Sequence, residues 1–122
     1  MLQKIRVLDL THFLAGPYCT LVMADLGADV VRVEDPGHPD EARSMPPHFQ
    51  DGESLYYLSL NWGKRSVALG LEEPGDRERM YGLARWADVV VDNFRPGVMR
   101  KLGLDHETLA AQNPRLVTCS IT

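Results

Sequence analysis

Apolar residues along the chain fall into short runs, and these runs alternate with stretches of helical spacing. Ile5–Leu10 has the length and composition of a strand. After it, Gly16 and Pro17 suit the cap and first position of a helix, because proline has no N–H to leave unpaired there. Leu21, Val22, Met23 and Leu26 give that helix an apolar face, and Gly27 stands where a helix closes in a left-handed residue. Asp29–Glu34 follows as a second strand. The strand–helix–strand unit has the roughly 30 residues of a right-handed crossover.

Residues Asp35–Glu53 break the pattern. Pro36, Pro39, Pro46 and Pro47 among many charges read as one long loop, which in a compact domain means either function or a missed element. Leu55–Leu60 fits a short strand and a helical turn equally well. Asn61–Gly63 reads as a turn and Ser66–Leu71 as a strand. Pro74 opens a helix in which Met80, Leu83, Ala84 and Ala87 recur at i, i+3, i+4 and i+7. Asp88–Asp92, centred on Val89, Val90 and Val91, has the make-up of a strand buried on both faces of a parallel sheet. Val98–Leu102 and His106–Gln112 read as short helices, the second capped by Asp105 and closed by Asn113 and Pro114. Leu116–Ile121 reads as a last strand. The alternation predicts an α/β protein with a doubly wound, mostly parallel sheet. Thr122 comes directly after a strand pattern, without turn or cap. An open strand end leaves backbone groups uncovered, so the expectation is a fragment of a longer protein.

Charge and composition narrow the partners. A net charge of -4 and a pI near 5.5 argue against a nucleic acid or an anionic membrane surface, which would favour a basic face. No apolar run approaches the ~18 residues of a membrane span and no basic-then-apolar leader opens the chain, so a cytoplasmic location is expected. Cys19 and Cys119 lie far apart without metal-ligand spacing and read as two buried, reduced thiols. No metal site is expected.

In a doubly wound sheet the ligand crevice lies beyond the carboxyl ends of the strands where the strand order reverses. Here that point falls between the first strand and the Asp88–Asp92 strand, so the loops Thr11–Gly16 and Asn93–Gly97 face the crevice. The first leads into a helix N-terminus, whose free N–H groups and dipole favour an anion such as a phosphate. The second offers an amide, an aromatic face and a guanidinium in Asn93, Phe94 and Arg95, a set that suits a base with phosphates. No G-x-G-x-x-G follows the first strand, although Glu34 stands near the place of a ribose-binding acid. Alternatives stay open for single residues: His12 as a loop histidine bonded to backbone, Phe94 as core, Arg95 as a surface charge. Lys64 and Arg65 read as a solvated turn. His38, His48 and His106 join no constellation, no set is spaced for nucleophilic catalysis, and no pair of acids stands out.

Several blocks carry a resemblance. Arg6-Val7-Leu8-Asp9-Leu10, Ala15-Gly16-Pro17, the run from Ala24 to Glu34, Asn61-Trp62-Gly63-Lys64-Arg65-Ser66, Ala87-Asp88-Val89, the run from Asn93 to Val98, Leu102-Gly103-Leu104 and Asn113-Pro114-Arg115-Leu116-Val117 together resemble the class III CoA-transferases. The likeness covers essentially the whole chain. That family includes carnitine, bile-acid and formyl-CoA transferases and the α-methylacyl-CoA racemases.

The resemblance implies a Rossmann-like large domain, of which residues 1–122 are the N-terminal CoA-binding part, a small domain, and two chains interlocked as rings in a homodimer. It implies transfer of CoA between an acyl-CoA and a carboxylic acid, with CoA as substrate and no cofactor, through an aspartyl mixed anhydride. The family's nucleophilic aspartate falls beyond Thr122, as do the racemase's acid–base residues, so no catalytic residue carries over. The CoA-binding positions that match are His12, Phe13 and Ala15 in the first loop, Leu69 near the adenine, Asn93 and Phe94 in the second loop, and Val98, Lys101 and Leu102 on the following helix. Arg95 joins them from the composition of its loop. Two positions depart from the pattern: Asp35 replaces a basic residue found in some relatives, and Leu14 a glutamine. Besides a transferase or racemase, an NAD(P)-linked oxidoreductase domain and a non-catalytic CoA- or nucleotide-binding module stay open.

Overall fold

Val7 and Leu8 point to opposite faces of the strand that centres the molecule, and both are fully buried. In the computed structural model, which describes residues 1–122, that strand is β1 (Arg6–Asp9). It lies between β2 (Asp29–Glu34) and β6 (Val89–Asp92), flanked outward by β5 (Arg65–Ala68) and β7 (Val117–Ser120). All four pairings are parallel, in the order β5-β2-β1-β6-β7. Val7 sits in register with Val30 on one side and Val89 on the other. The order reverses between β1 and β6, as the alternation of apolar runs predicts.

Each face of the sheet has its own filling. On the Leu8 face, Leu10, Val31, Val33 and Val90 pack with Met80 and Ala84 of α3 (Pro74–Trp86) and Leu109 of a short later helix in one large apolar cluster. On the Val7 face, Val30, Ala28 and Val91 pack with Met23 and Ala24 of α1 (Ala15–Asp25) in a smaller one. The rest of that second face is ionic, because Asp9, Arg32 and Glu34 alternate with the apolar positions of β1 and β2 and share its side of the pleat.

Helix α1 starts at Ala15, earlier than Gly16 and Pro17 suggest, with Leu14 at its cap and Pro17 still inside the first turn, where no N–H is needed. Gly16 is required by close approach: a Cβ there would stand 2.2 Å from the Thr11 Cβ. Gly27 closes the helix at φ +100°, as expected. The segment 35–53 is not one loop. It holds a 3₁₀ helix, Glu41–Ser44, capped by the Asp40 side chain, and a short hairpin of β3 (Phe49–Gln50) and β4 (Glu53–Ser54). The segment after it is the helix α2 (Leu55–Asn61), capped by Ser54. Strand β5 begins at Arg65 and ends at Ala68, so Leu69 and Leu71 leave the sheet and enter the core. Helices α4 (Val98–Lys101) and α5 (His106–Gln112) follow, and Asp105 caps α5 by accepting from the Thr108 N–H at 2.9 Å. Both cysteines are free, but they are not buried: Cys19 is partly exposed and Cys119 exposed, because the latter lies on the outermost strand of the sheet. No helix is long and apolar enough to cross a membrane.

Candidate functional site

The crevice at the switch point is built from the two loops that leave β1 and β6. Asn93 joins them. Its side-chain amide accepts from the His12 N–H and donates to the His12 carbonyl, both at 2.8 Å. Asp9, at the end of β1, accepts from the Thr11 N–H at 2.9 Å and from the Thr11 hydroxyl. Phe13, with a positive φ of 64°, donates its N–H to the Asp40 carboxylate at 3.2 Å. Three successive residues of the loop are therefore fixed by three different segments of the chain.

A cavity of about 180 Å³ opens beside this loop, floored by Val33, Leu71, Val98 and Leu102 and walled by His12 and Phe94. The His12 and Phe94 rings meet edge to face with centroids 5.6 Å apart. Burial pushes the His12 imidazole below its ordinary range, so its neutral form is favoured, although the Asp40 charge acts the other way. Asp35, His38 and Glu72 rim the opening; His38 Nδ1 lies 3.4 Å from Asp35, and Lys101 Nζ lies 3.7 Å from Glu72. The apolar floor with few polar groups at its edge is the usual make-up of a small-molecule site.

Of the candidate residues, His12, Phe94, Val98 and Leu102 line the cavity. Lys101 reaches its rim through Glu72. Asn93 stands behind His12 as a clamp, with both ends of its amide occupied by backbone. Phe13 is exposed on the same loop and Ala15 at the start of α1, and Arg95 is exposed on the other loop. Leu69 is buried in the apolar core against α3 and is not among the residues of the cavity wall. His38, assigned to no constellation by its place in the sequence, stands at the cavity mouth.

Beneath the loop lies an ionic core that sequence reading missed. The Arg32 guanidinium, almost wholly buried, contacts Asp40 at 2.6 Å, Glu34 at 3.1 Å and Asp9 at 3.7 Å. Lys64 is no solvated turn residue: its ammonium is buried and donates to Asp9, the Pro17 carbonyl and the Asn61 side chain at 2.9, 2.9 and 3.0 Å. Arg65, by contrast, is exposed and pairs with Asp29 at 2.7 Å. Glu34 is not free for a ribose, because Arg43, Arg32 and the Tyr57 hydroxyl all bind it. Burial alone would raise the Glu34 carboxyl, but the hydrogen bonds from Arg43 and Tyr57 and the Arg32 charge outweigh it and hold it down at about 2. The same network pushes the Tyr57 hydroxyl up, through burial and its bond to Glu34. The available signal was the period-2 placing of Asp9, Arg32 and Glu34 within otherwise apolar strands, which puts charges on one sheet face.

The profile described as CoA-transferase family III matches residues 2–122. A succinyl-CoA:mesaconate CoA-transferase of Haloarcula marismortui is 51% identical over 98% of the chain, and an acetyl-CoA:oxalate CoA-transferase of Acetobacter aceti is 47% identical over 95%. The crystal structure of a CAIB/BAIF family protein from Brucella suis superposes with a TM-score of 0.92 at 40% identity, over 99% of this chain and 33% of that one. The chain spans about 30% of the length of the curated relatives it matches.

Proposed function

The chain belongs to CoA-transferase family III, and from that premise we propose that its switch-point crevice holds the nucleotide end of an acyl-CoA, as the N-terminal part of a machinery that moves CoA between an acyl-CoA and a carboxylic acid. The observation that carries this reading is the apolar cavity walled by His12 and Phe94 at the crevice where the strand order reverses. Its floor suits a flat base, and the edge of Phe94 and the neutral His12 suit a ring better than a charge. The amides of Ala15 and Gly16, at the start of α1, have no acceptor within the chain and suit a phosphate, with Arg95 and Lys101 exposed on the facing segment.

The buried carboxylates at this site are all engaged by other groups of the chain. Asp9 is engaged by Thr11, Thr20 and Lys64; Asp40 by Arg32, Phe13 and Ala42; Asp92 by Ser120 and the Phe94 N–H. At the rim, Asp35 accepts from the Gly37 N–H and faces His38, and Glu72 faces Lys101. We therefore assign no catalytic residue here, and the 122 residues alone carry binding without turnover. In a calorimetric titration, CoA should bind this chain and NADH should not, and no CoA transfer from succinyl-CoA to a free acid should occur. Binding of NADH without CoA overturns the reading in favour of a dehydrogenase-like domain, and transfer by the pure chain overturns the assignment of the chemistry elsewhere.

A further inference from the structure

Asp40 is a fully buried carboxylate whose side chain has three donors. The Phe13 N–H is shared between Oδ1 at 3.2 Å and Oδ2 at 3.3 Å; Oδ1 also accepts from the Ala42 N–H at 3.0 Å, and Oδ2 from Arg32 Nη2 at 2.6 Å. Asp9 and Glu34, the other acids facing Arg32, are shared with Lys64 and Arg43, so Asp40 is the acid that balances Arg32. Beyond that ion pair, the carboxylate makes two bonds to backbone N–H groups. One caps the 3₁₀ helix Glu41–Ser44. The other runs to Phe13, whose φ of 64° is a backbone conformation that a residue with a bulky side chain holds only where its surroundings enforce it.

We infer that Asp40 is a positioning residue for the acyl-CoA loop: through the Phe13 N–H it holds the left-handed turn that sets His12 beside Phe94 and starts α1, while Arg32 fixes the carboxylate in place. The two neighbouring anchors of the loop, Asp9 on Thr11 and Asn93 on His12, come from the ends of sheet strands. Asp40 alone comes from the 35–53 segment, so it ties that segment to the crevice. The inference rests on reading the crevice as an acyl-CoA site.

The test uses the 122-residue chain and CoA as the probe. Asp40→Asn keeps the shape but offers one acceptor oxygen where two were used, and should move the Phe13 amide proton upfield and weaken CoA binding by about tenfold. Val7→Ala, in the apolar cluster on the other face of the sheet from the cavity floor, should lower the melting temperature but leave CoA affinity within about twofold. Phe13→Pro deletes the N–H and forbids the positive φ without touching the ionic core, whereas Phe13→Ala keeps both. Phe13→Pro should bind CoA about fivefold or more weakly than Phe13→Ala. A folded Asp40→Asn chain with unchanged CoA affinity and an unmoved Phe13 amide overturns the inference. If that variant does not fold, equal affinities of the two Phe13 variants overturn it instead. If the wild-type chain does not bind CoA at all, the crevice reading fails, and the ligand-free Phe13 amide shift still decides whether Asp40 holds the loop.

Discussion

Asn93 grips the backbone of His12 at both its N–H and its carbonyl, across 81 residues of sequence and across the point where the sheet reverses its order. Neither end of the amide is left to face a ligand through its primary bond. Asn93→Ala should still weaken CoA binding, because the His12 ring loses its fixed place: about 1–2 kcal/mol, a 5- to 30-fold rise in Kd by calorimetry. His48→Ala, in the exposed part of the 35–53 segment, should leave Kd unchanged. Equal effects of the two substitutions would remove the clamp from the account.

Lys64 makes the sharpest stability prediction. Its buried ammonium is one of the two cations that face Asp9, and removing it leaves that carboxylate under-compensated inside the protein. Lys64→Ala should cost about 3–5 kcal/mol in urea unfolding. Arg65→Ala, one residue on and solvent-exposed, should cost less than about 1 kcal/mol. A Lys64 variant as stable as the wild type would contradict the ionic core.

Glu34 sets an acid limit. Its carboxyl is held at about 2 in the folded chain against an ordinary 4.5. The unfolded chain therefore binds the extra proton first, so the Glu34 contribution is complete above pH 4.5 and is lost as the pH falls from there towards 2. It amounts to about 3 kcal/mol. Glu34→Gln should flatten this part of the stability–pH curve, measured by urea midpoints from about pH 2.5 to about pH 6. An unchanged slope would mean that other carboxylates carry the acid sensitivity.

His12 titrates in the opposite chemical sense but with the same direction of loss. Burial lowers its pKa below the ordinary 6.5, so the unfolded chain takes up the proton more readily. The folded state is unaffected above pH 6.5 and loses stability as the pH falls from 6.5 through the folded value. The His12 ring resonances should show a midpoint below 6.5 by NMR. A midpoint at or above that value would mean the ring is more open to water than its place in the cavity wall implies.

Much of this site is legible in the sequence, for identifiable reasons. The three valines of β6 and the apolar positions of the run from Asp29 to Glu34 mark central strands, so the reversal between β1 and β6 follows from pattern alone, and with it the two loops of the crevice. His12, Phe94, Val98 and Leu102 do meet around one cavity. Leu69 belongs to the core because its strand ends one residue earlier, a boundary that apolar composition cannot place. Arg32, Asp40 and Lys64 are not legible as a group. Each is a charged residue in an ordinary local setting, and only the pairing of β2 with β1 and the folding back of the 35–53 segment bring them within a few ångströms. That segment resists sequence reading because its order comes from tertiary anchors, the Asp40 cap and the Ser54 hydroxyl on the Met45 carbonyl, and not from any periodicity.

The register that places Val7 beside Val89 also fixes when this protein can fold. No pair of neighbouring strands in the main sheet is joined by a hairpin, so none of its ladders can zip from a turn. The central strand must wait for a partner made some eighty residues later, which puts folding in the slow, loop-closure-limited regime of high contact order. On the ribosome, β1, α1 and β2 emerge before β6, so one edge of β1 stays open meanwhile, and the charges of Asp9 and Arg32 remain wet until Lys64 arrives. The crevice therefore forms only once β6 and the residues after it are made, because Asn93, Phe94, Val98 and Leu102 all lie there.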